Sequence, residues 1–346
     1  MEASLADLAR LPVLLLAQAD PPRHAWLDVR TGVLLAVVLG LLGIAYGAGE
    51  YLRRLPESSV NPGMVRAFSL RVRAWWMMCA ILTAAFLFQG PTATVVLFGL
   101  VSFWALREFI TLTPTRMGDH RALFWVFFLF TPLQYVLVGL GIEYYGLYSI
   151  VVPVYGFLFI PARVALAGDY KRFLERTAKI QAGLLVCVYS LSYAPALLYL
   201  ELQTAAGPWR GTNPGLLFFF ILLVQLNDVL QYLWGKLLGK RVIAPAISAS
   251  KTWEGFCGGV LSTTLLGTVL WWVTPFTPWQ AAIMALIIAI MGSAGSMTMS
   301  AIKRDRGVKD YGTLVEGHAG VLDRIDSICF AAPVFFHITR YYFTDV

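Results

Sequence analysis

The chain has 346 residues, of which 58% are hydrophobic and 14% charged, with a net charge of +7. With a mean hydropathy of +0.68 it is far too apolar for a water-soluble domain and reads as an integral membrane protein. The positive charge does not indicate nucleic acid, because no basic stripe with interleaved aromatics occurs and the cations gather in short loops between apolar stretches.

The chain opens with a short apolar run, 11–17, ahead of Ala17-Gln18-Ala19, the outline of a secretory cleavage site. Its leader holds Glu2, Asp7 and Arg10 rather than a basic cluster, so an interfacial helix is the better reading. Residues 1–60 are taken as this segment plus a first transmembrane helix, and the break at 56–63 separates them from a multi-span domain, 61–346. The expected fold is all-α and polytopic, with about ten transmembrane helices near 31–49, 74–89, 91–110, 122–142, 144–166, 180–201, 214–235, 254–274, 278–301 and 322–342. Most of the 27 Lys and Arg residues fall in loops after the odd-numbered spans, which puts those loops in the cytoplasm and both termini outside. Hydropathy shows no repeat symmetry of the kind transporters display. Cys79, Cys187, Cys257 and Cys329 lack ligand spacing and read as small core residues. Glu108, Glu143 and Glu201 sit at span ends within reach of solvent and receive no role, and His24, His120 and His337 stand alone.

The seventh span carries Gln225, Asp228, Tyr232 and Gly235 at i, i+3, i+7 and i+10, one polar stripe in an apolar helix. An acid at mid-membrane costs about 2.5–3.5 kcal/mol on insertion scales, so Asp228 needs a cavity or a partner. Helix–helix hydrogen bonding is one reading of the stripe, and the wall of a reactive cavity is the other. After it, Ser248, Ser250, Lys251 and Thr252 precede the next span, where free backbone amides and the helix dipole suit an anion. N-capping accounts for the hydroxyls but not for Lys251.

The stretch 300–326, SAIKRDRGVKDYGTLVEGHAGVLDRID, concentrates charge that is scarce elsewhere. Lys303, Arg304, Arg306 and Lys309 suit phosphate, and Asp305, Asp310, Glu316, Asp323 and Asp326 suit a hard divalent ion such as Mg2+. Asp323 and Asp326, three apart, share a helix face, while Arg324 points elsewhere on the turn and suits a phosphate or an acid. His318, between Gly317 and Ala319-Gly320, reads as a donor to phosphate or nucleotide rather than a general base. A solvated charged loop is the competing reading.

In spacing, Ser300, Lys303, Arg304, Lys309, Asp310, Gly312, Gly317, His318, Gly320, Asp323, Arg324 and Asp326 resemble the signature of the CDP-diacylglycerol synthase (phosphatidate cytidylyltransferase) family, S-x-x-K-R-x(4)-K-D-x-G then H-G-G-x-x-D-R-x-D. DVLQYLWGKLLGK from Asp228 and SASKTWEG from Ser248 are similar to two further family segments, so the resemblance covers 225–346 in order. Departures include Ser296 where the family has a metal-binding Asp, Met299 for its Glu, and Ala319 in the glycine turn. The resemblance implies a Mg2+-dependent enzyme of a bacterial-type inner membrane, joining CTP to phosphatidate at the cytoplasmic face and releasing pyrophosphate. It implies Asp323 as the main metal ligand with Asp326, assistance from Asp228 or Asp310, and Ser296 as a weaker oxygen donor. Lys303, Arg304, Lys309 and His318 would hold phosphates, and Ser248, Lys251, Thr252 and Arg324 would complete the substrate wall. A monovalent cation in place of a missing metal and a homodimer stay open, as do a weakened relative that only binds lipid or nucleotide, another lipid-linked nucleotidyl or phosphoryl transferase, and a lipid transporter.

Overall fold

A computed structural model describes residues 28–54, 69, 72–73, 76–77, 79–86, 90–113, 115–204, 207–312 and 320–344. The long helices are α1 (Val29–Arg54), α2 (Pro91–Leu112), α3 (Met117–Gly139), α4 (Ile142–Ala165), α5 (Phe173–Tyr199), α6 (Asn213–Leu238), α7 (Trp253–Val273), α8 (Pro278–Asp305) and α9 (Leu322–Phe343). Of these, α1 to α8 are long and apolar enough to cross a bilayer, which requires about 20 residues. The protein is thus an all-α, multi-pass membrane protein.

The count of ten spans is not met among the described residues. Of the expected second span, 74–89, only 76–77 and 79–86 are described, and they are helical. The expected tenth is the 22-residue α9, whose Asp323, Arg324, Asp326, His337 and Arg340 set it apart from the apolar eight. The interfacial helix and the 56–63 break lie outside the described residues. Cys187 and Cys329 are buried as expected, but Cys257 is exposed on α7 rather than in the core.

Local sequence sets the helix boundaries. Pro91, Pro214 and Pro278 stand in first turns, where a missing N–H leaves no helical bond unmade. Thr277 and Gln280 form a reciprocal capping box ahead of α8. Inside α3, Pro132 cannot donate to the turn before it, and the backbone widens into a π segment, Val126–Phe130, whose Val126 carbonyl takes the Thr131 hydroxyl at 2.8 Å. Two short antiparallel hairpins interrupt the bundle: β1 (Gln203–Thr204) with β2 (Gly207–Pro208), and β3 (Val242–Ala244) with β4 (Ser248–Thr252).

Helix α6 lies along α7, α8 joins α7 to α9, and α9 packs into α5 and α2. Phe220 of α6 stacks on Phe335 of α9 with centroids 5.0 Å apart. A Cβ on Gly259 of α7 would stand 2.3 Å from the Gln231 side chain, so only glycine lets α6 and α7 approach this closely. The far face of α7 exposes Leu261, Leu265 and Val269, apolar side chains suited to surrounding lipid.

The bundle has two chemically different ends. At one, buried Arg176 grips buried Asp119 (Nη2–Oδ1 2.7 Å) and donates to the Lys171 carbonyl (2.8 Å), tying the loops before α3 and α5 together. This is also the end where α6 and α8 finish. At the other, where α6 begins, His337 and Arg340 of α9 close on Tyr145 of α4, with Nδ1 3.2 Å from its hydroxyl and the guanidinium 3.8 Å above its ring. His337, alone in sequence, is therefore partnered in space. In a background lacking the four native cysteines, Arg306→Cys and Arg210→Cys should react with a membrane-impermeant thiol reagent from opposite faces. Labelling of both from one face would contradict this arrangement.

Candidate active site

The residues singled out by the sequence gather where α2, α6 and α8 finish and α7 and α9 begin. Asp228 lies on α6 about 15 Å short of its Leu238 end, well inside the bundle. Its Oδ2 accepts a 2.8 Å hydrogen bond from the Ser327 hydroxyl of α9. The neighbouring Asp326 is buried; its Oδ1 accepts the Ser327 N–H at 2.7 Å and lies 3.4 Å from the same hydroxyl. Two carboxylates from facing helices therefore meet at one serine. Gln225, one turn earlier on α6, donates to the Arg324 carbonyl at 3.0 Å and fixes the height of α9 against α6. The expected stripe divides here, because Tyr232 is exposed, whereas Asn227 and Gln231 turn to Ser293 of α8.

The β3–β4 hairpin delivers Lys251. With Val242 opposite Thr252 and Ala244 opposite Ser248, Lys251 reaches inward and its Nζ donates to Ser296 Oγ of α8 at 2.6 Å. Ser296, itself buried, passes its hydrogen to the Ser293 carbonyl at 3.1 Å. Burial holds the Lys251 pKa below its ordinary value, against the opposing pull of the Asp228 and Asp326 charges. The remaining hydroxyls of this segment serve the loop itself. Thr252 Oγ1 caps α7 by accepting the Gly255 N–H at 3.1 Å, and Ser248 Oγ lies 3.3 Å from Ser250 Oγ. Glu254 closes the base of the hairpin by accepting the Lys240 and Arg241 N–H groups at 3.0 and 3.1 Å.

One turn before Asp326, Asp323 is fully engaged. Its Oδ1 takes Lys303 Nζ at 2.7 Å, and its Oδ2 takes the Tyr311 and Gly320 N–H groups at 2.8 and 2.9 Å. Lys303 also lies 5.4 Å over the ring of Tyr311, a buried residue whose hydroxyl donates to the Met299 carbonyl at 3.0 Å. Arg304 links the end of α8 to the hairpin turn through the Ile247 carbonyl (3.1 Å), and Lys309 and Asp310 are exposed. His318 falls within 313–319, outside the described residues.

Sequence reasoning missed three members. Ser327 and Tyr311 carry no signal beyond their place in the motif. Glu108 does, since it is an acid inside an apolar stretch, yet solvent does not reach it as expected: it is 5% exposed, and its carboxylate accepts the Val321 and Leu322 N–H groups at 3.0 and 2.8 Å. Among the described residues, no three of His, Cys, Asp and Glu converge as metal ligands. What the arrangement offers is an acid pair, Asp326 buried and Asp228 half-buried, flanked by two lysines part-way down a membrane bundle, the equipment for holding phosphates against a cation.

The profile of the cytidylyltransferase family matches residues 69–342. The chain is similar over most of its length to the uncharacterized protein YnbB of Escherichia coli (strain K12), 38% identical over 310 residues, 89% of this chain and 97% of that protein. It is also similar to the phosphatidate cytidylyltransferases of Staphylococcus haemolyticus (strain JCSC1435) and Staphylococcus saprophyticus subsp. saprophyticus, 37% and 38% identical over 120 residues, or 34% of this chain. Those two matches span 46% of the staphylococcal proteins, about half their length. With its profile running from before α2 into the last helix, the chain belongs to the cytidylyltransferase family.

Proposed function

We propose that the protein is a phosphatidate cytidylyltransferase, converting CTP and phosphatidate to CDP-diacylglycerol and pyrophosphate at the cytoplasmic face of a bacterial-type inner membrane. The observation that carries this reading is the meeting of Asp228 and Asp326 at Ser327, with Lys251 reaching in from the hairpin and Lys303 of α8 bound to Asp323, one turn before Asp326 on α9. The names of the staphylococcal relatives supply the substrate pair.

In this reaction a phosphate oxygen of phosphatidate forms a bond to the α phosphorus of CTP, and the bond from that phosphorus to the bridging oxygen breaks, releasing pyrophosphate. The nucleophile is already an anion, so no strong base is required. What the site supplies is in-line placement and relief of repulsion between two anions. Lys251 and Lys303 would hold phosphate oxygens, and Arg304 with Lys309 would draw the nucleotide to the mouth. The donor set fits Mg2+, which binds through one or two carboxylates and completes its shell with substrate oxygens. Asp228 and Asp326 would hold it. Asp323 is better suited to clamping the loop, since Lys303 and two amides already occupy its oxygens. When bound, Mg2+ would neutralise charge on the CTP phosphates.

A site part-way down a helix bundle suits a lipid substrate, whose head group can meet the cations while its tails stay in the bilayer. A second reading rests on Ser296, which holds a lysine where the family resemblance expects a carboxylate: a relative that binds lipid or nucleotide without turnover. Purified protein in mixed micelles should release pyrophosphate from CTP only when both phosphatidate and Mg2+ are present. Binding of CTP or phosphatidate with no release would favour the second reading instead.

A further inference from the structure

Glu108 stands on α2, more than two hundred residues away in sequence from the helix it caps. Helix α9 begins at Leu322 with no side-chain cap of its own at Val321, although its first turn carries Asp323 and Asp326 lies just beyond. The cap comes across the bundle. Glu108 Oε1 accepts the Val321 N–H at 3.0 Å and Oε2 accepts the Leu322 N–H at 2.8 Å, two of the donors a helix start leaves unpaired. The two described loop flanks, at Gly312 and Gly320, close on this carboxylate so tightly that a side chain at either would collide with it. A Cβ on Gly312 would stand 2.7 Å from Oε1, and one on Gly320 2.4 Å from Oε2. Asp323 takes the neighbouring Tyr311 and Gly320 N–H groups, so the two acids together gather four backbone donors from both flanks of the loop.

We propose that Glu108 is a positioning residue for the cytidylyl-transfer site, fixing the loop flanks and the first turn of α9 so that Asp326 faces Asp228 and Asp323 faces Lys303; the catalytic part of this rests on the function proposed above. Glu108 does not touch the reacting groups. It acts through backbone donors, and a carboxylate is required because both of its oxygens accept. In Glu108→Gln, one oxygen becomes an NH2 facing an N–H, so one of the two bonds is lost without a change of shape.

The test pairs a backbone readout with a kinetic one. In Glu108→Gln, hydrogen exchange should rise in peptides covering 309–312 and 320–324, while peptides from the cores of α6 and α8 keep wild-type protection. The kcat for CTP and phosphatidate should fall roughly 10- to 100-fold, the size typical of groups that orient ligand-bearing residues, with KM for CTP changed less than threefold. Glu108→Asp, which keeps two accepting oxygens on a shorter arm, should recover part of both. Unchanged exchange at 320–324 in Glu108→Gln would overturn the proposal, as would a kcat loss matched by general loosening of the bundle and no recovery in Glu108→Asp. If the wild-type protein shows no cytidylyl transfer, the functional reading fails on its own, and the exchange pattern still decides whether Glu108 sets the loop.

Discussion

Asp326→Asn should abolish cytidylyl transfer while leaving the protein at least as stable as before. Asp326, buried, and Asp228, half-buried, meet at the single hydroxyl of Ser327, and like charges so placed repel in a medium of low dielectric. An Asn keeps the shape and still accepts the Ser327 N–H, but removes one of the two charges. Folding gains from the relief, whereas a site that relies on the acid pair to hold a cation against CTP loses what it needs. The loss of turnover should exceed the roughly 10- to 100-fold typical of outer partners, and Asp228→Asn should behave alike. Thermal midpoints in detergent, read beside activity, check both halves. A variant that retains turnover, or one that loses it only in step with unfolding, would contradict the assignment.

Lys251→Met should likewise lose turnover, but at a cost in stability that Asp326→Asn does not carry. Lys251 is the hairpin cation held on Ser296, and its charge acts on both carboxylates from a half-buried position. Removing it leaves the acids less well balanced, so stability without divalent ions should fall. Mg2+ should then restore more stability to the variant than to the wild type, because an ion that binds only the folded form stabilises by mass action. Turnover should remain lost even at saturating Mg2+, since a phosphate-binding cation is gone. Ser296→Asp gives the complementary result. A carboxylate at that position would pair with Lys251, draw it from the phosphates and lower turnover, unless Lys251 leaves and a metal enters, in which case activity at low Mg2+ should rise. An unchanged Mg2+ dependence in both variants would show that neither residue borders the cation.

The spans were legible because hydrocarbon imposes one rule on every lipid-facing position, and composition alone reveals it; that rule gave α1 to α8. The expected tenth span coincides with α9, where Asp323, Asp326 and Arg340 are tolerated because neighbouring helices supply partners, a matter of tertiary structure that composition does not reveal. Within the site, spacing placed Asp323 and Asp326 on one helix face but could not say that a backbone loop and Lys303 engage the first while Ser327 and Asp228 meet the second. Residues such as Thr252 and Ser248, grouped by sequence with the phosphate binders, turn to capping and to the hairpin, since free hydroxyls near a helix start satisfy local donors first. Glu108, read from sequence as a solvent-reachable span-end acid with no role, is instead buried, because its partners are backbone groups far along the chain and no side-chain pattern encodes an acceptor for N–H groups.

The central claim, transfer of a cytidylyl group onto a lipid phosphate, is tested most directly by following which phosphorus of CTP reaches the lipid. Purified protein in mixed micelles with phosphatidate and Mg2+ would receive CTP labelled at the α phosphorus in one reaction and at the γ phosphorus in another. The account predicts α label in the organic extract, in step with pyrophosphate formed, and γ label wholly in the aqueous phase, with both absent for Asp326→Asn. Label from the γ position in the lipid would mean phosphoryl transfer, and an organic phase without either label, under conditions where CTP binds, would contradict the proposed reaction outright.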